Sequence, residues 1–492
     1  MDFQDRALLI KNAFVYTSTY NEPKFKRKSI LIQNGKVKQV WNGPITDDWN
    51  QKVIIWDASN TYLTPPFSNG HSHSYTGILK RTVGALPLDL YMLEAIAYGQ
   101  NRSTSLIYDS TLLHGYELLR NGYQMTVDHF SERPSLSIEG LASAINAYRK
   151  LGLKSVLAPM FADKPYLATL PFSEMKEEIK DVANIKAYEK LISTLLKDFA
   201  SEQNIAFALG VDGVQRCSDY LLERTSALMK DFNIGWHSHL LESHTQWTYS
   251  HLAGESLVKR IDRHGLLNEK SVFAHAIWTT ESDRKRMADK GASIVHCTCS
   301  NLHLGSGICP IHRYQAYDIP WFLGTDGFNC GTLNAFELMR QAARTSRIAS
   351  DDRLEWLRAE DVFKKMIKPT NLCKDDWITE FLAEGQPASF LAFHYQDIEP
   401  AEFFDEVVYY ENGENMRDIM MEGSWIKKEG IDLVYNEDIR CSATRLKELQ
   451  LDYEIQLKEA RTNFGFVDNI LSKSWEYALD YFPEQLPKLY KR

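Results

Sequence analysis

The sequence is poor in cysteine, has no long apolar run and begins with charged residues. Seven cysteines among 492 residues are an odd count at low density, which indicates reduced thiols instead of a disulfide framework. The apolar runs are too short to cross a membrane, and the charged first six residues do not resemble a signal peptide. We therefore expect a cytoplasmic protein.

Basic residues are not in excess, and several common catalytic motifs are missing. The chain has 56 Lys and Arg against 65 Asp and Glu, a net charge of −9. Nucleic acids and anionic membranes usually require a basic patch, so we expect neither as a partner. The sequence also lacks a Gly-x-Ser-x-Gly elbow, a phosphate-binding loop and a His-Glu-x-x-His motif. We expect a small-molecule substrate and a homo-oligomer, specifically a dimer.

The sequence does contain a regular alternation of apolar runs and amphipathic stretches of helical length. Strict alternation over about 250 residues predicts an α/β fold with parallel strands, and eight units predict a closed (β/α)8 barrel of the TIM type. Residues 164–186 form an insertion after the third run, either a lid or a solvated surface excursion. The eight runs end near Asn69, Asp128, Met160, Val211, His239, Ile277, His296 and Asp326.

Both ends of the chain are rich in β patterns. The first end has a hairpin turn at Asn34-Gly35, and the second includes the β-like run at 406–410. We expect residues 1–63 plus 380–440 to form one discontinuous β domain around a barrel domain of residues 64–379. The remaining residues 441–492 would form a helical extension, which packs on its own domain or mediates dimerisation. Apolar residues at steps of three and four predict one amphipathic helix there: Leu446, Leu449, Tyr453, Leu457, Ala460 and Phe464.

The strongest chemical signal is Gly70-His71-Ser72-His73. Residues i and i+2 of a strand point to the same side, so His71 and His73 can both reach one ion. A lone His-x-His motif is common by chance. This motif, however, ends the first predicted barrel strand, at the face where active sites of this barrel lie.

Three further predicted strand ends carry side chains that bind metals. The fifth ends with His239, the sixth with His275 and the eighth with Asp326. Imidazoles with one carboxylate suit a single divalent metal, zinc in the first place and iron as the alternative. Such an ion lowers the pKa of a bound water towards about 7. Glu242, just beyond the fifth strand, is placed to pass that water's proton to a leaving group.

Five segments in this order resemble the amidohydrolase superfamily, in particular its aminohydrolase branch. That branch includes S-adenosylhomocysteine, guanine and cytosine deaminases and the triazine hydrolases. The resemblance extends from about residue 7 to 430, and it implies that the discontinuous β domain is a small β-sandwich. The five segments are Pro66–His73 with Leu86–Leu88, His239–Glu242, Ala274–His275, Ser300–Gly307, and Gly324–Gly327 with Leu333–Arg340.

The resemblance implies catalytic roles for three residues. Glu242 would shuttle a proton, His275 would polarise the substrate group under attack, and Asp326 would take a proton from water. His237 matches no ligand position and would support its neighbours or pack. The implied metal ligands are His71, His73, His239 and Asp326.

Two positions differ from the nucleoside-deaminating members of this branch. Gln100 stands where those enzymes place a ribose-binding glutamate, and Asp212 stands where histidine is frequent. Both argue against adenosine-type substrates, and Asp212 suits a substrate with N–H donors. Asp212 could equally cap the following helix. The predicted substrate-binding set is completed by three residues: His129, Trp278 and His303.

We therefore predict a metal-dependent hydrolase of a non-peptide carbon–nitrogen bond. The favoured reaction is hydrolytic deamination of a small nitrogen-rich heterocycle, or of an amidine or guanidine compound. A ring-opening or ring-closing cyclic amidohydrolase is one alternative, and a catalytically inactive scaffold is another. The scaffold predicts loss of a metal ligand, yet every ligand position is filled. Dechlorination is less favoured, because Glu242 retains the proton shuttle that release of ammonia requires.

Overall fold

The first strands pair as the sequence predicts. The computed structural model describes residues 7–17, 24–43, 45, 53–80, 84, 86–175, 182–449 and 453–484. Asn34 and Gly35 both have positive φ, +52° and +72°, as a two-residue type I′ hairpin requires. The hairpin prediction is confirmed. The strands are β1 (Ala7–Tyr16), β2 (Phe25–Gln33), β3 (Lys36–Asn42), β4 (Val53–Asp57) and β5 (Thr61–Thr64).

Strands between residues 67 and 327 form two sheets in which every pairing is parallel. They are β6 (Phe67–His73), β7 (Tyr123–Asp128), β8 (Lys154–Leu157), β9 (Met160–Phe161), β10 (Ile205–Phe207), β11 (Leu209–Gly213), β12 (Trp236–Leu240), β13 (Ser271–His275), β14 (Ser293–His296), β15 (Trp321–Leu323) and β16 (Asp326–Gly327). One sheet has the order β10-β8-β7-β6-β16, and the other has the order β15-β14-β13-β12-β11-β9. The predicted α/β fold with parallel strands is confirmed.

Helices connect these strands and cover the sheets. Serine side chains cap the N-termini of five of them by accepting a backbone N–H, which satisfies a donor that the helix leaves free. The helices are α1 (Leu88–Tyr98), α2 (Thr104–Arg120), α3 (Ile138–Leu151), α4 (Val182–Asp198), α5 (Asp219–Asp231), α6 (His244–Leu252), α7 (Leu257–Arg263), α8 (Glu281–Asp289), α9 (Thr298–His303), α10 (Ile311–Gln315), α11 (Ala335–Ala349) and α12 (Ala359–Met366). Within the predicted insertion, residues 176–181 lie outside the described residues.

Strands from the second end of the chain join the first sheet. They are β17 (Phe390–His394), β18 (Met416–Met421), β19 (Ser424–Lys428) and β20 (Ile431–Asp432). Nine strands result, in the order β20-β19-β18-β17-β5-β1-β2-β3, with β4 paired to β1. Gly35 and Gly423 pack backbone to backbone, because a Cβ on Gly423 would lie 2.3 Å from the Gly35 Cα.

The strand predicted at 406–410 is wrong. Phe403–Asp405 is a short helix, α13, and Glu406–Tyr410 continues it as a π-helical turn. Val407 and Val408 are both fully buried, although they are adjacent in the chain. A strand would place them on opposite faces, whereas a helical turn lets both contact the core.

The C-terminal extension is three helices instead of the one predicted. They are α14 (Glu437–Leu449), α15 (Glu454–Arg461) and α16 (Phe464–Tyr481). Leu446, Tyr453 and Leu457 are buried in one cluster with Leu88 and Tyr91 of α1. The regular spacing of apolar residues therefore continues across the interruption between α14 and α15, because both helices pack on that cluster. None of the helices in the described part of the chain is long and apolar enough to cross a membrane.

Candidate metal centre and active site

Strand ends bring the four predicted metal ligands together. His71 and His73 end β6, His239 lies in β12, and Asp326 begins β16. Nε2 of His71 and Nε2 of His73 lie 3.4 Å and 3.2 Å from Oδ1 of Asp326. Nε2 of His73 lies 3.1 Å from Nε2 of His239. Three imidazole nitrogens and one carboxylate oxygen thus converge on one point.

The donor atoms fit a divalent metal ion. Nδ1 of His73 donates to the carbonyl of His129 at 2.8 Å, and Nδ1 of His239 donates to the carbonyl of Asp212 at 2.6 Å. Because each Nδ1 carries a proton, each Nε2 has its lone pair free for a metal. Two such lone pairs 3.1 Å apart repel unless a proton or cation lies between them. Nε2 of His71 is likewise buried without a hydrogen-bond partner.

His237 and His129 lie behind the metal ligands. Nε2 of His237 is 2.7 Å from Nδ1 of His71, which orients the ligand ring. Burial lowers the pKa of His237 to about 3, so it is neutral and can accept the His71 proton. The His129 ring is fully buried, 4.8 Å from the His239 ring between centroids. His129, predicted to bind substrate, lies beneath the ligands.

Burial and neighbouring charges give the two carboxyl groups of the site, Glu242 and Asp326, different pKa values. Burial raises the pKa of Glu242 to about 8 in the metal-free protein, so this group can gain or lose a proton near neutral pH. Burial acts the same way on Asp326, but the adjacent imidazoles of His71 and His73 outweigh it and hold the pKa of Asp326 well below the usual value. Ser300 Oγ also donates to Oδ2 of Asp326 at 2.5 Å. Asp326 is therefore ionised.

His275 faces the same cavity. Its Nδ1 donates to Oδ1 of Asn301 at 2.8 Å and lies 3.7 Å from Oε1 of Glu242. Its Nε2 is buried without a hydrogen-bond partner and lies 3.9 Å from Oδ2 of Asp326. Burial lowers the pKa of His275 to about 4 in the metal-free protein. His275 and Asp326 both have positive φ, +69° and +63°, a strained conformation that is frequent at functional sites.

A cavity of about 50 Å³ lies beside these groups, and the sequence prediction missed two-thirds of the residues that line it. Arg216 lies four residues after Asp212, a spacing that could have marked it. The aromatic residues carry no comparable signal, because they come from three separate segments. The missed residues with the largest side chains are Tyr75, Tyr91, Met92, Met160, Tyr166, Gln215, Arg216 and Gln246.

Asp212 lines this cavity, but its carboxylate already has protein partners. Oδ2 accepts a hydrogen bond from Nη1 of Arg216, and Oδ1 lies 3.6 Å from Nδ1 of His239. The alternative that Asp212 caps the following helix is wrong, because the turn Val214–Arg216 has no side-chain cap and Ser218 caps α5.

Three other predicted substrate-binding residues are not among the described residues that line this cavity. Gln100 follows α1, and its backbone pairs with that of Arg133. Trp278 donates to the Ser306 carbonyl at 2.8 Å, and its ring contacts aromatic residues of the C-terminal extension. His303 is exposed at the end of α9, and the next residue, Leu304, lines the cavity instead.

The sequence and the fold of this chain are similar to those of known proteins. The model of the amidohydrolase family matches residues 62–426. The 5-methylthioadenosine/S-adenosylhomocysteine deaminase of Caldicellulosiruptor saccharolyticus is 25% identical over 457 residues, covering 91% of this chain and 100% of that protein. The 5′-deoxyadenosine deaminase of Methanocaldococcus jannaschii is 26% identical over 443 residues, covering 88% and 96%. Atrazine chlorohydrolase from Arthrobacter aurescens, complexed with zinc, shares the fold with a TM-score of 0.75 at 18% identity, covering 89% and 100%.

Proposed function

Because this chain belongs to the amidohydrolase family, we propose that it is a metal-dependent aminohydrolase that deaminates a small nitrogen-rich heterocycle. One observation carries the proposal. Three Nε2 atoms and Asp326 Oδ1 converge beside a buried Glu242 whose pKa is raised to about 8. A metal site and a proton-transfer group are thus joined in one cavity.

The ligands would be His71, His73, His239 and Asp326. Zinc is the proposed metal, with iron as the alternative, because a nitrogen-rich set with one carboxylate suits both. Bound there, the metal would activate water and polarise the substrate. His237 would hold the His71 ring in place from behind, through the 2.7 Å contact with its Nδ1.

The chain's own groups would move the protons. Asp326, ionised and held by Ser300, would accept a proton from the attacking water. Glu242 would carry a proton to the departing nitrogen, because its pKa of about 8 allows both protonation states at neutral pH. His275, fixed by Asn301, would hydrogen-bond to the substrate group under attack. Ammonia would leave only after gaining that proton.

The proposed substrate is an amino-heterocycle, in line with the deaminases among the relatives. The substrates named for these relatives are adenosine derivatives, and the pairing of Asp212 with Arg216 in the cavity wall favours a substrate other than adenosine itself. An amidine or guanidine compound would suit the same chemistry. A homodimer in the cell interior remains our prediction for the assembly.

We also propose that the two parallel sheets close into one eight-stranded barrel. The chain passes from one sheet to the other without a helix between β8 and β9, β10 and β11, and β15 and β16. Both sheets contribute to a single apolar cluster, with Val127 and Val156 from one, and Val272 and Val295 from the other. Such a cluster is expected inside a closed barrel.

The proposed domains are those of the sequence prediction. The β-sandwich would comprise residues 1–63 plus 380–440, the barrel 64–379, and the helical extension 441–492. The nine-stranded sheet supports this division, because its two halves share a core that includes Ile30, Leu63 and Phe390. The N–H of Val37 in β3 also bonds the carbonyl of Gln386 at 2.9 Å, so the far edge of the sheet folds back onto the second half.

The test is an ammonia-release screen with the zinc-loaded protein. Amino-heterocycles, nucleosides and guanidino compounds are supplied, and metal per chain is measured on the same sample. The metal-stripped protein is the control. We expect one metal per chain and metal-dependent ammonia release from at least one heterocycle.

Other outcomes would overturn the proposal in different ways. A ring-opened or ring-closed product without ammonia would identify a cyclic amidohydrolase. Chloride release from a chlorotriazine, without deamination, would identify a dechlorinating enzyme. A protein that holds no stoichiometric metal would be an inactive scaffold.

A further inference from the structure

The turn of residues 275–279, which follows β13, has a strained backbone, and we call it the His275 turn. His275 and Ala276 have φ angles of +69° and +49°, although neither residue is glycine. Such angles persist only where the surrounding structure fixes them. The N–H groups of residues 276–278 close the turn, because they donate to carbonyls at and just beyond the end of β12 at 2.9–3.0 Å. The orientation of the His275 ring therefore depends on what holds this turn.

Tyr314 in α10 connects two residues of the His275 turn. Its hydroxyl donates to the Ala276 carbonyl at 2.5 Å and lies 2.6 Å from the Thr279 hydroxyl. Since the one proton of the tyrosine goes to the carbonyl, Thr279 donates in the second bond. Both side chains are buried, so water does not compete for these hydrogen bonds.

A buried arginine extends this network away from the turn. Nη1 of Arg284 in α8 donates to the Thr279 carbonyl at 2.7 Å. Nη2 of Arg284 donates to Oε1 of Glu484, just beyond α16, at 2.9 Å. Arg284 is 2% exposed, and Glu484 is its one ion-pair partner among the described residues. Glu484 therefore supplies the negative charge that a buried guanidinium requires.

Glu484 binds two further donors. Its Oε1 also accepts a hydrogen bond from the N–H of Glu281, the first residue of α8, at 2.6 Å. Its Oε2 pairs with Arg313 in α10. One carboxylate thus connects α8 and α10, the two helices that support the His275 turn. It lies in the C-terminal extension, outside the segment 62–426 that the amidohydrolase model matches.

The preceding helix, α16, also packs beside the metal centre. The Trp475 ring lies 6.0 Å from the Trp278 ring, within the His275 turn, and 5.3 Å from the His244 ring, between centroids. His244 begins α6, directly after the segment that carries Glu242. The C-terminal extension therefore contacts the segments that follow both of the groups proposed to act on the substrate.

We propose that Glu484 is a positioning residue for the deamination reaction, which makes the C-terminal extension part of the active site. Glu484 fixes Arg284, and Arg284 fixes the His275 turn through Thr279 and Tyr314. The inference rests on the proposed role of His275, which is to hydrogen-bond to the substrate group under attack. Without this support the strained turn would relax and move the His275 ring away from that group.

The first test measures exchange of backbone N–H hydrogens for deuterium in the zinc-loaded protein, and it requires no substrate. Peptides that cover residues 276–278 are the reporters, because their N–H groups close the turn. We expect Glu484→Gln and Tyr314→Phe each to speed exchange there about 10-fold, the size expected for one lost hydrogen bond. Exchange in β7, which lies in the other parallel sheet, should not change.

The second test measures ammonia release by the same variants, with a substrate identified in the screen. We expect kcat to fall about 10- to 100-fold in both, the range for a displaced functional group. KM and metal per chain should stay near the native values, because Glu484 and Tyr314 are not among the described residues that line the small cavity. A purely structural role would lower the melting temperature without this selective loss in kcat.

Two matched variants control for the loss of a buried hydroxyl and of a carboxylate. Tyr116→Phe removes a buried hydroxyl that donates to Asp432 at 2.6 Å, in the edge strand of the nine-stranded sheet. Glu437→Gln removes an exposed carboxylate that pairs with Arg440 of the same helix. Both controls should keep native exchange at residues 276–278 and native kcat. Melting temperatures show which variants fold, and Tyr314→Phe decides the question if Glu484→Gln does not, since it leaves the ion pair intact.

Unchanged exchange at residues 276–278 in the folded variants would overturn the proposal. Faster exchange with native kcat would also overturn it, because the turn would then be loosened without consequence for the reaction. A fall in kcat that Tyr116→Phe shares would assign the effect to general destabilisation. The deaminase function fails separately, when the unmodified enzyme releases no ammonia from any compound. In that case faster exchange in both variants would still support the positioning of the His275 turn by Glu484.

Discussion

Asp326 in the parallel sheets and Asp418 in the nine-stranded sheet are both buried aspartates on strands, at 4% and 1% exposure. Both carboxylate oxygens of Asp418 have hydrogen-bond donors: the Glu429 N–H at 2.8 Å, Lys428 Nζ at 3.0 Å and His394 Nε2 at 2.6 Å. Asp326 has one hydroxyl donor, and its Oδ1 instead faces two imidazole Nε2 atoms at 3.2–3.4 Å.

This difference indicates that Asp418 stabilises the fold, whereas Asp326 is suited to bind a cation. The Asp418 backbone lies within a strand, whereas Asp326 has a φ of +63°. Strain together with unpaired buried nitrogen atoms lowers stability, and a bound cation would offset that loss. Buried charge in the nine-stranded sheet is satisfied by the protein alone.

Removing a ligand should have the largest effect on the metal centre. We expect His73→Ala to lose its stoichiometric metal and all measurable turnover, because only three ligands remain. Metal per chain and ammonia release are measured on one sample. His303→Ala is the control, since His303 is exposed and away from the cavity. A His73→Ala protein with one metal per chain would contradict the ligand assignment.

Glu242→Gln should retain the metal and lose turnover. The amide keeps the size of the side chain but cannot exchange a proton, so we expect kcat to fall by about 10²- to 10⁴-fold. Glu223→Gln, on the exposed face of α5, should be unaffected. Near-normal turnover of Glu242→Gln would exclude the proton shuttle and favour dechlorination.

Asn301→Ala should lower kcat by about 10- to 100-fold, the usual effect of losing a partner that orients a functional histidine. The reason is that Asn301 Oδ1 holds the His275 ring at 2.8 Å. KM should change less than kcat, because Asn301 is not among the described residues lining the cavity. Asn301→Asp keeps the acceptor and should restore most of the activity. Equal losses in both variants would exclude this positioning role.

Asp418→Asn should reduce stability and leave kcat/KM unchanged. We expect a loss of about 1–3 kcal/mol in the free energy of unfolding at pH 7, because three donors lose a charged acceptor. Hydrogen bonds and the charge of Lys428 outweigh burial and hold the pKa of Asp418 below its usual value. This stabilisation is present above the unfolded pKa of about 3.9 and disappears as the pH falls through the lower folded value.

Urea unfolding at several pH values checks this prediction. The difference between the native protein and Asp418→Asn should be constant from pH 7 to 5 and shrink below about pH 4. A difference that is independent of pH would show that the carboxylate charge does not contribute.

The convergence of the four proposed metal ligands could be predicted from the sequence, because it depends only on where strands end. His71, His73, His239 and Asp326 lie at or near the ends of strands, and parallel strands bring their ends to one edge. The hairpin at Asn34-Gly35 was equally local. Predicting such features does not require knowing which distant segments of the chain are in contact.

The cavity wall could not be predicted, because it depends on contacts between distant segments. Trp278 follows a correctly predicted strand, yet its ring packs on Trp475, almost 200 residues later. His303 and Leu304 are adjacent in the chain, and the orientation of the end of α9 determines which of them faces the cavity. The wrong strand prediction at 406–410 has the same cause. The composition of this run is typical of a strand, and only its packing against the core makes it a helical turn.

The pairing of β5 with β17 has a consequence for the order of folding during synthesis. At about 5–20 residues per second, β17 leaves the ribosome roughly 15 to 65 seconds after β5. During that interval the β5 edge has no partner, and exposed strand edges invite aggregation. All the strands that carry the proposed metal ligands lie in the intervening residues 67–327. We expect the catalytic strands to assemble first, and the sheet where the chain began to be completed last.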